Sequence, residues 1–296
     1  MSGPLPIQLI RNAQVHTADA ILAVTDAPQV LAADFAIQGI HETGTPVPWG
    51  WLLGRIVNVD HHAPVAAMER NVSSAVLALD FVSVHGIPAD AAVVISHTDC
   101  DSVLSAGILS GRLPPERRWG DAAVAADHTG AEDPVADLLQ PLDDLRDWER
   151  SLANLERLLA GQPLDPEVQG LVDRRHEQRE FLAAHVAAGG FEFDGGLAWS
   201  DFDREVDSEL VAPLLPDAVL VLCIHPNFAR PGRWIARTRL GPAAPPGLSL
   251  QRLGIETFDP AWGGRWNAGN NKRGGGTELA PEEYAAELAR RLALAR

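Results

Sequence analysis

Short apolar runs that stop at clusters of aspartate and histidine constrain this chain more than any other feature. Arg55–Val59 ends in Asp60-His61-His62, Ala91–Ser96 ends in His97-Thr98-Asp99-Cys100-Asp101-Ser102, and Ala122–Ala126 ends in Asp127-His128-Thr129-Gly130. A further run, Ala20–Thr25, stops at Asp26. The runs are β-branched or alanine-rich, and helix candidates lie between them near 73–85 and 101–110. Strands separated by helices predict a parallel α/β sheet. Ligands of such sheets gather at the carboxyl ends of the strands, so the three clusters converge on one edge.

Each cluster alone also reads as a polar turn closing a strand. Three alike carry more weight. Aspartates two apart in an extended turn can face one side, and the helix after Asp99 brings its amide end close by. Crowded carboxylates repel one another unless cations neutralise them. The pattern therefore predicts a two-cation site drawn from Asp60, His61, His97, Asp99, Asp101 and Asp127. Carboxylate and imidazole donors suit Mn²⁺, Mg²⁺ or Fe²⁺, and no paired-cysteine pattern for structural zinc exists. In GIHETG, His41 and Glu42 are a further ligand, a substrate contact or a plain loop.

The chain has 296 residues, 46% of them hydrophobic, which suits two modest domains with real cores. No run of about 18 uncharged apolar residues occurs, so no membrane span is expected. The first residues lack a basic and apolar leader pattern, so no secretory signal is expected either. Of the two cysteines, Cys100 sits between aspartates and Cys223 lies in the apolar run AVLVLCI. Neither suggests a disulfide framework, and a reducing, cytoplasmic location is expected. The net charge of −16 disfavours long nucleic acid as a partner and leaves a small phosphorylated substrate easy to accommodate on bound cations. Nothing in the sequence sets an oligomeric state.

Leucines at 138, 139, 142, 145, 152, 155, 158 and 159 mark an amphipathic helical region broken near Gly161-Gln162-Pro163, and a second helix is expected over 165–187. The expected organisation is a metal-binding domain over 1–140, a helical spacer over 141–188, and a smaller α/β domain over 189–296. The last contains strands Leu197–Phe202, Ala218–His225 and Trp234–Leu240 and a closing helix, Glu278–Arg296. The run WGGRWNAGNNKRGGGT, residues 262–277, holds Lys272, the one lysine of the chain, beside Arg273. With Arg265, Asn267, Asn270, Asn271, Gly274 and Gly275 it suits a phosphate or carboxylate, or else forms a surface loop.

VDHHAP, residues 59–64, followed by SSAVLALDFV, Ser73–Val82, resembles the third motif of the DHH phosphoesterase superfamily. HTDCDSVLSA, residues 97–106, resembles its first motif, and residues 262–277 resemble the glycine-rich substrate-binding motif of its C-terminal domain. The resemblance implies hydrolysis of a small phosphate ester or phosphodiester, such as a short oligonucleotide or cyclic nucleotide, with two Mn²⁺ per chain. It implies catalytic roles for His62, Asp99, Asp101 and Asp127, with His62 nearest the phosphate, His128 at the substrate, and Asp127 as the bridging carboxylate. Asp26 and Asp34 are rivals for that bridging role.

The chain departs from the family pattern. The His-Asp-Asp motif normally precedes DHH and here follows it. The family histidine lies four residues before the first aspartate; Ile95 holds that position, and His97 lies two before. Either the motifs are circularly permuted, which the strong strand before His97 favours, or the first motif is degenerate at His16 and Asp19. Thr277 stands where the glycine motif ends in histidine. Inorganic pyrophosphatase activity, or a non-catalytic protein that binds a nucleotide or metal, are the alternatives.

Overall fold

The computed structural model describes residues 3–10, 16–63 and 71–295. They form two compact units: Met1–His128 with Glu132–Arg175, and Thr129–Ala131 with His176–Arg296.

The first unit holds strands β1 (Ile7–Leu9), β2 (Gln29–Ala33), β3 (Thr45–Val47), β4 (Gly50–Leu53), β5 (Ile56–Val59) and β6 (Ala91–Ile95). Their order across the sheet is β1-β6-β2-β5-β4-β3. β1, β6, β2 and β5 are parallel, whereas β4 and β3 fold back antiparallel, so the sheet is mixed, not wholly parallel as expected. Its helices are α1 (Ala18–Leu22), α2 (Ile40–Thr43), α3 (Ser74–His85), α4 (Cys100–Ser110), α5 (Arg117–Val124), α6 (Pro134–Leu139), α7 (Trp148–Leu159) and the first half of α8 (Pro166–Ala187).

The central strands are apolar on both faces because both faces are covered. Leu31, Ala33, Val57, Val59, Val93 and Ile95 face a core built with α3 to α7. The alternate positions Val30, Ala32, Ile56 and Val94 meet Ile21, Ile37 and Ile40 on the other side. Ser73 caps α3 by accepting from the Val76 amide at 3.2 Å, and Asp99 caps α4 by accepting from Ser102 at 3.0 Å. α4 is buried along its whole length. It is the pillar under the site.

Three expectations are corrected. Ala20–Thr25 is no strand: Thr17 accepts from the Ala20 amide at 3.2 Å and starts α1, and the strand is β2, a few residues on. Ala122–Ala126 ends α5 and enters a π-helical turn, Ala125–Thr129. Alanine is the strongest helix former, and this run has one β-branched residue. The supposed spacer does not stand apart, because Leu142, Leu152, Leu155, Val168 and Val172 join the first unit's core and the two units divide inside α8.

The second unit holds β7 (Glu192–Asp194), β8 (Leu197–Asp201), β9 (Leu220–Pro226), β10 (Trp234–Leu240), β11 (Gly263–Gly264) and β12 (Ala268–Asn270), in the order β11-β12-β10-β9-β8-β7. Only β8 and β9 pair in parallel. One face packs on Tyr284, Leu288 and Leu292 of α10 (Pro281–Ala295). The other face takes Leu182 of α8 with Leu210 and Val211, the latter two from α9 (Ser208–Val211). Cys223 is buried in that core, and burial pushes its thiol up to about 12. Among the described residues no helix is long and apolar enough to cross a membrane.

Candidate metal centre

Three parallel neighbours, β6, β2 and β5, end side by side. The first is followed by His97, Asp99 and Asp101, the second by Asp34, and the third by Asp60, His61 and His62. Asp34 therefore stands between the two motifs. Its φ is +62°, a left-handed conformation rare for a side chain other than glycine, asparagine or aspartate. Its amide donates to the Val59 carbonyl at 3.0 Å.

Asp34 is buried and gathers the cluster around it. Oδ2 accepts from Ser102 Oγ at 2.8 Å and lies 3.2 Å from His97 Nε2. Oδ1 lies 3.6 Å from His61 Nε2 and 3.7 Å from His62 Nδ1, and has no hydrogen bond. Burial opposes ionisation of Asp34, but the hydrogen bond and charge of His97, with the charges of His62 and His61, carry it well below the usual carboxylate range.

The neighbours divide the work. Asp60 Oδ1 accepts the His62 amide at 3.1 Å and faces His62 Nδ1 at 2.8 Å, while Oδ2 accepts the Ala63 amide at 3.0 Å. Against the cost of burial, His62 and then His61 lower its carboxyl. His61 Nε2 lies 3.3 Å from Asp127 Oδ2 and 3.6 Å from Asp101 Oδ2. His97 Nε2 lies 3.4 Å from Asp99 Oδ2, and its Nδ1 faces Ser96 Oγ at 2.9 Å. Asp127 and His128 come from the π turn, a feature that recurs at functional sites.

Three sets of donor atoms lie within 4.8 Å of one another: Asp34 with His61 and His62; Asp34 with His97 and Asp99; and His61 with Asp127 and His128. Each of these groupings could hold a divalent cation. The protons are shared unevenly. Burial, then the charges of Asp34, Asp127 and Asp99, push the Asp101 carboxyl well up. Burial also raises Asp99, and the charges of Asp34 and Asp127 add to that against the pull of His97. Burial would lower His97, yet Asp99 and Asp34 raise it well above its ordinary value.

These shifts set a pH dependence. Asp99, Asp101 and His97 hold protons more tightly folded than unfolded, so their stabilisation is complete at low pH and is lost as pH rises through their folded pKa values. Asp34 and Asp60 act oppositely, and only as pH falls below the ordinary aspartate value of 3.8. The cation-free protein is therefore expected to lose thermal stability from about pH 5 to pH 8. Saturating Mn²⁺ is expected to flatten that slope and raise Tm by about 5 °C at the upper end. Melting curves with and without chelator across this range check it; a flat cation-free profile contradicts it.

Other expected residues lie elsewhere. Asp26 precedes β2, at the opposite end of the strand from Asp34, and is exposed. His41 and Glu42 are exposed on α2, His41 edge-on to Trp51 at 5.0 Å. Asp19 is exposed in α1, and His16 packs on Phe35 at 4.8 Å.

In the second unit the glycine-rich loop is more inward-turned than expected. Asn271 is fully buried; its Oδ1 accepts from Ala236, and its Nδ2 donates to Asp259 at 2.9 Å and to the Trp234 carbonyl at 3.4 Å. Its amide group braces the loop and is not offered to a substrate. The Gly275 and Gly276 amides donate to the Lys272 and Asn271 carbonyls, so they too are spent internally. A Cβ on Gly275 would meet Arg230 at 2.0 Å, and one on Gly274 would meet Ala261 at 2.5 Å: these glycines allow close packing. Asn270 accepts from the Lys272 amide at 3.0 Å, and Arg265 donates to Asn267 at 3.0 Å. Lys272 Nζ donates to Glu205 at 2.7 Å, and Arg273 is exposed. His225 has a buried Nε2 without a hydrogen bond; burial holds its imidazole below its ordinary value.

No family model matches the chain, and no curated protein matches it. Among solved structures it is similar to PggH, a pGpG-specific phosphodiesterase from Vibrio cholerae, at 12% identity and a TM-score of 0.43, over 72% of this chain and 88% of that one. It is also similar to an exopolyphosphatase-related protein from Bacteroides fragilis, at 13% identity and a TM-score of 0.38, over 93% of this chain and 73% of that one. At such scores neither likeness bears on the chemistry of the site.

Proposed function

We propose that this chain is a divalent-cation-dependent phosphoesterase of the DHH kind, acting on a small phosphate ester or phosphodiester. The observation that carries this is Asp34 Oδ1, a buried carboxylate oxygen without a hydrogen bond, directed into a group of imidazoles and further carboxylates. A buried carboxylate oxygen left without a hydrogen bond is costly, and a bound cation removes the cost. The donor set fits Mn²⁺ or Mg²⁺.

One cation would be held by Asp34, His97 and Asp99, and a second by His61 and Asp127, with Asp34 reaching both and Asp101 alongside. Bound there, such cations make water a nucleophile near neutral pH and neutralise phosphoryl oxygens. The protein's own part is to fix the donors and to supply a proton. Asp60 orients His62 through Nδ1, and His62 is the most exposed imidazole of the group, which suits it to protonate the leaving oxygen. Lys272 and Arg273, exposed on the second unit, are proposed to bind an anionic group there, Lys272 after leaving Glu205. The charge of −16 supports a preference for short substrates.

A panel of phosphomonoesters, cyclic and linear dinucleotides, short oligonucleotides and pyrophosphate, run with Mn²⁺, Mg²⁺ or EDTA, tests this. Turnover of at least one small phosphodiester or monoester with Mn²⁺, abolished by EDTA, is expected. Equal turnover in EDTA, or ligand binding with no turnover of any substrate, counts against it.

A further inference from the structure

The turn that opens α3 touches the metal centre with three backbone groups. The Val72 carbonyl receives two imidazoles: His61 Nδ1 lies 2.5 Å from it and His128 Nε2 3.1 Å. A carbonyl oxygen only accepts, so in each ring the nitrogen facing it carries the hydrogen. His61 is thereby held with its Nε2 directed toward Asp127, Asp34 and Asp101. Two residues further on, the Ser74 amide donates to Asp101 Oδ2 and the Ala75 amide to Asp101 Oδ1, both at 2.7 Å. A single turn of backbone thus sets the direction of an imidazole and a carboxylate that face each other.

His128 is the side chain that grips this turn from outside. It is buried, its ring centroid is 5.4 Å from that of His61 in an edge-on arrangement, and the π turn delivers it beside Asp127. We propose that His128 is a positioning residue for the cation site. By donating to the Val72 carbonyl it fixes the carbonyl that orients His61, and with it the turn whose amides hold Asp101. This assigns His128 a role other than the substrate contact that the sequence suggested. It rests on the cation-site reading above.

Calorimetric titration of Mn²⁺ into chelator-treated full-length protein tests it, alongside ¹⁵N spectra of the histidine rings. His128→Ala is expected to weaken Mn²⁺ binding about 10- to 100-fold with unchanged stoichiometry, the range seen when a hydrogen-bonding support of a metal ligand is lost. The His61 ring, a single Nδ1–H tautomer in the wild type, is expected to become a mixture. His128→Gln carries an amide N–H in the place of Nε2, and is expected to restore affinity to within a few-fold and to restore the tautomer. Wild-type affinity in His128→Ala overturns the proposal. A cation lost from the stoichiometry of both variants also overturns it, because His128 is then itself a ligand. Should His128→Ala fail to fold, His128→Gln decides: near-wild-type affinity supports the proposal and a loss beyond about 100-fold rejects it. A wild type that binds no Mn²⁺ brings down the cation-site reading itself, a result distinct from unequal variants.

Discussion

Asp34→Asn is expected to remove at least one bound cation and to lower kcat/KM by about a thousandfold or more, on the order of 4 kcal/mol of transition-state stabilisation. The substitution is close to isosteric, and its backbone cost is small. Asparagine is the other residue that accepts the left-handed conformation Asp34 occupies, at φ +62°. Ser102 Oγ, 2.8 Å from Oδ2, can donate to an amide oxygen or accept from an amide nitrogen. What disappears is the one carboxylate common to the sets with His61 and His62 on one side and His97 and Asp99 on the other. Elemental analysis of the purified variant and its circular dichroism separate loss of cation from loss of fold. A folded Asp34→Asn protein with full cation content and more than a tenth of wild-type activity would falsify the central role of Asp34.

The place of Asp34 in the cluster is only half visible in the sequence. Asp60-His61-His62 and His97-Thr98-Asp99-Cys100-Asp101 announce themselves because several donors stand together after an apolar run. Asp34 is a single aspartate after Val-Leu-Ala-Ala, and local pattern offers it only as a rival to Asp127. Its place between the two motifs comes from sheet order: β2 lies between β6 and β5, although it precedes both in the chain. Lateral order in a sheet is a long-range property that no local pattern encodes. The backbone groups of Val72, Ser74 and Ala75 leave no side-chain signature at all.

The same distinction runs through the fold. β5, β6, β9 and β10 are strands rich in apolar residues, legible to within a residue or two. β1, β3 and β4 are short and lie toward the sheet's edges, with little apolar periodicity to mark them. Alanine-rich runs misled twice, at α1 and at the end of α5, because alanine fills a buried strand as readily as it favours a helix. In the loop over 262–277, glycine, asparagine and lysine have the composition of an anion site. Gly274 and Gly275 are instead pressed against Ala261 and Arg230, and Asn271 is bonded to the buried Asp259. Composition names the groups available, and only packing shows which of them are already spent.

On the proposed reading, the two adjacent histidines after Asp60 divide into ligand and proton donor. His61 is 2% exposed and its Nε2 faces carboxylates; His62 is 33% exposed and is held by Asp60 through Nδ1. His61→Ala is expected to lose a cation and with it nearly all turnover. His62→Ala is expected to keep the cations and lower kcat by about 10²–10⁴-fold, the usual yield of a positioned acid. On that reading the two outcomes differ because one ring would supply a lone pair to the cation site and the other a proton to the substrate. Leaving-group chemistry sharpens the test. An alkoxide must be protonated as it departs, whereas p-nitrophenolate departs unaided, so the defect of His62→Ala should shrink to a few-fold on a p-nitrophenyl ester. His62 also lies within 4.8 Å of donor atoms on Asp34 and His61, which gives it a competing role as a third ligand. If that role holds, His62→Ala loses a cation as His61→Ala does, and its defect is the same for good and poor leaving groups. Cation stoichiometry and the leaving-group ratio, measured on the same two variants, therefore assign each ring independently of the identity of the natural substrate.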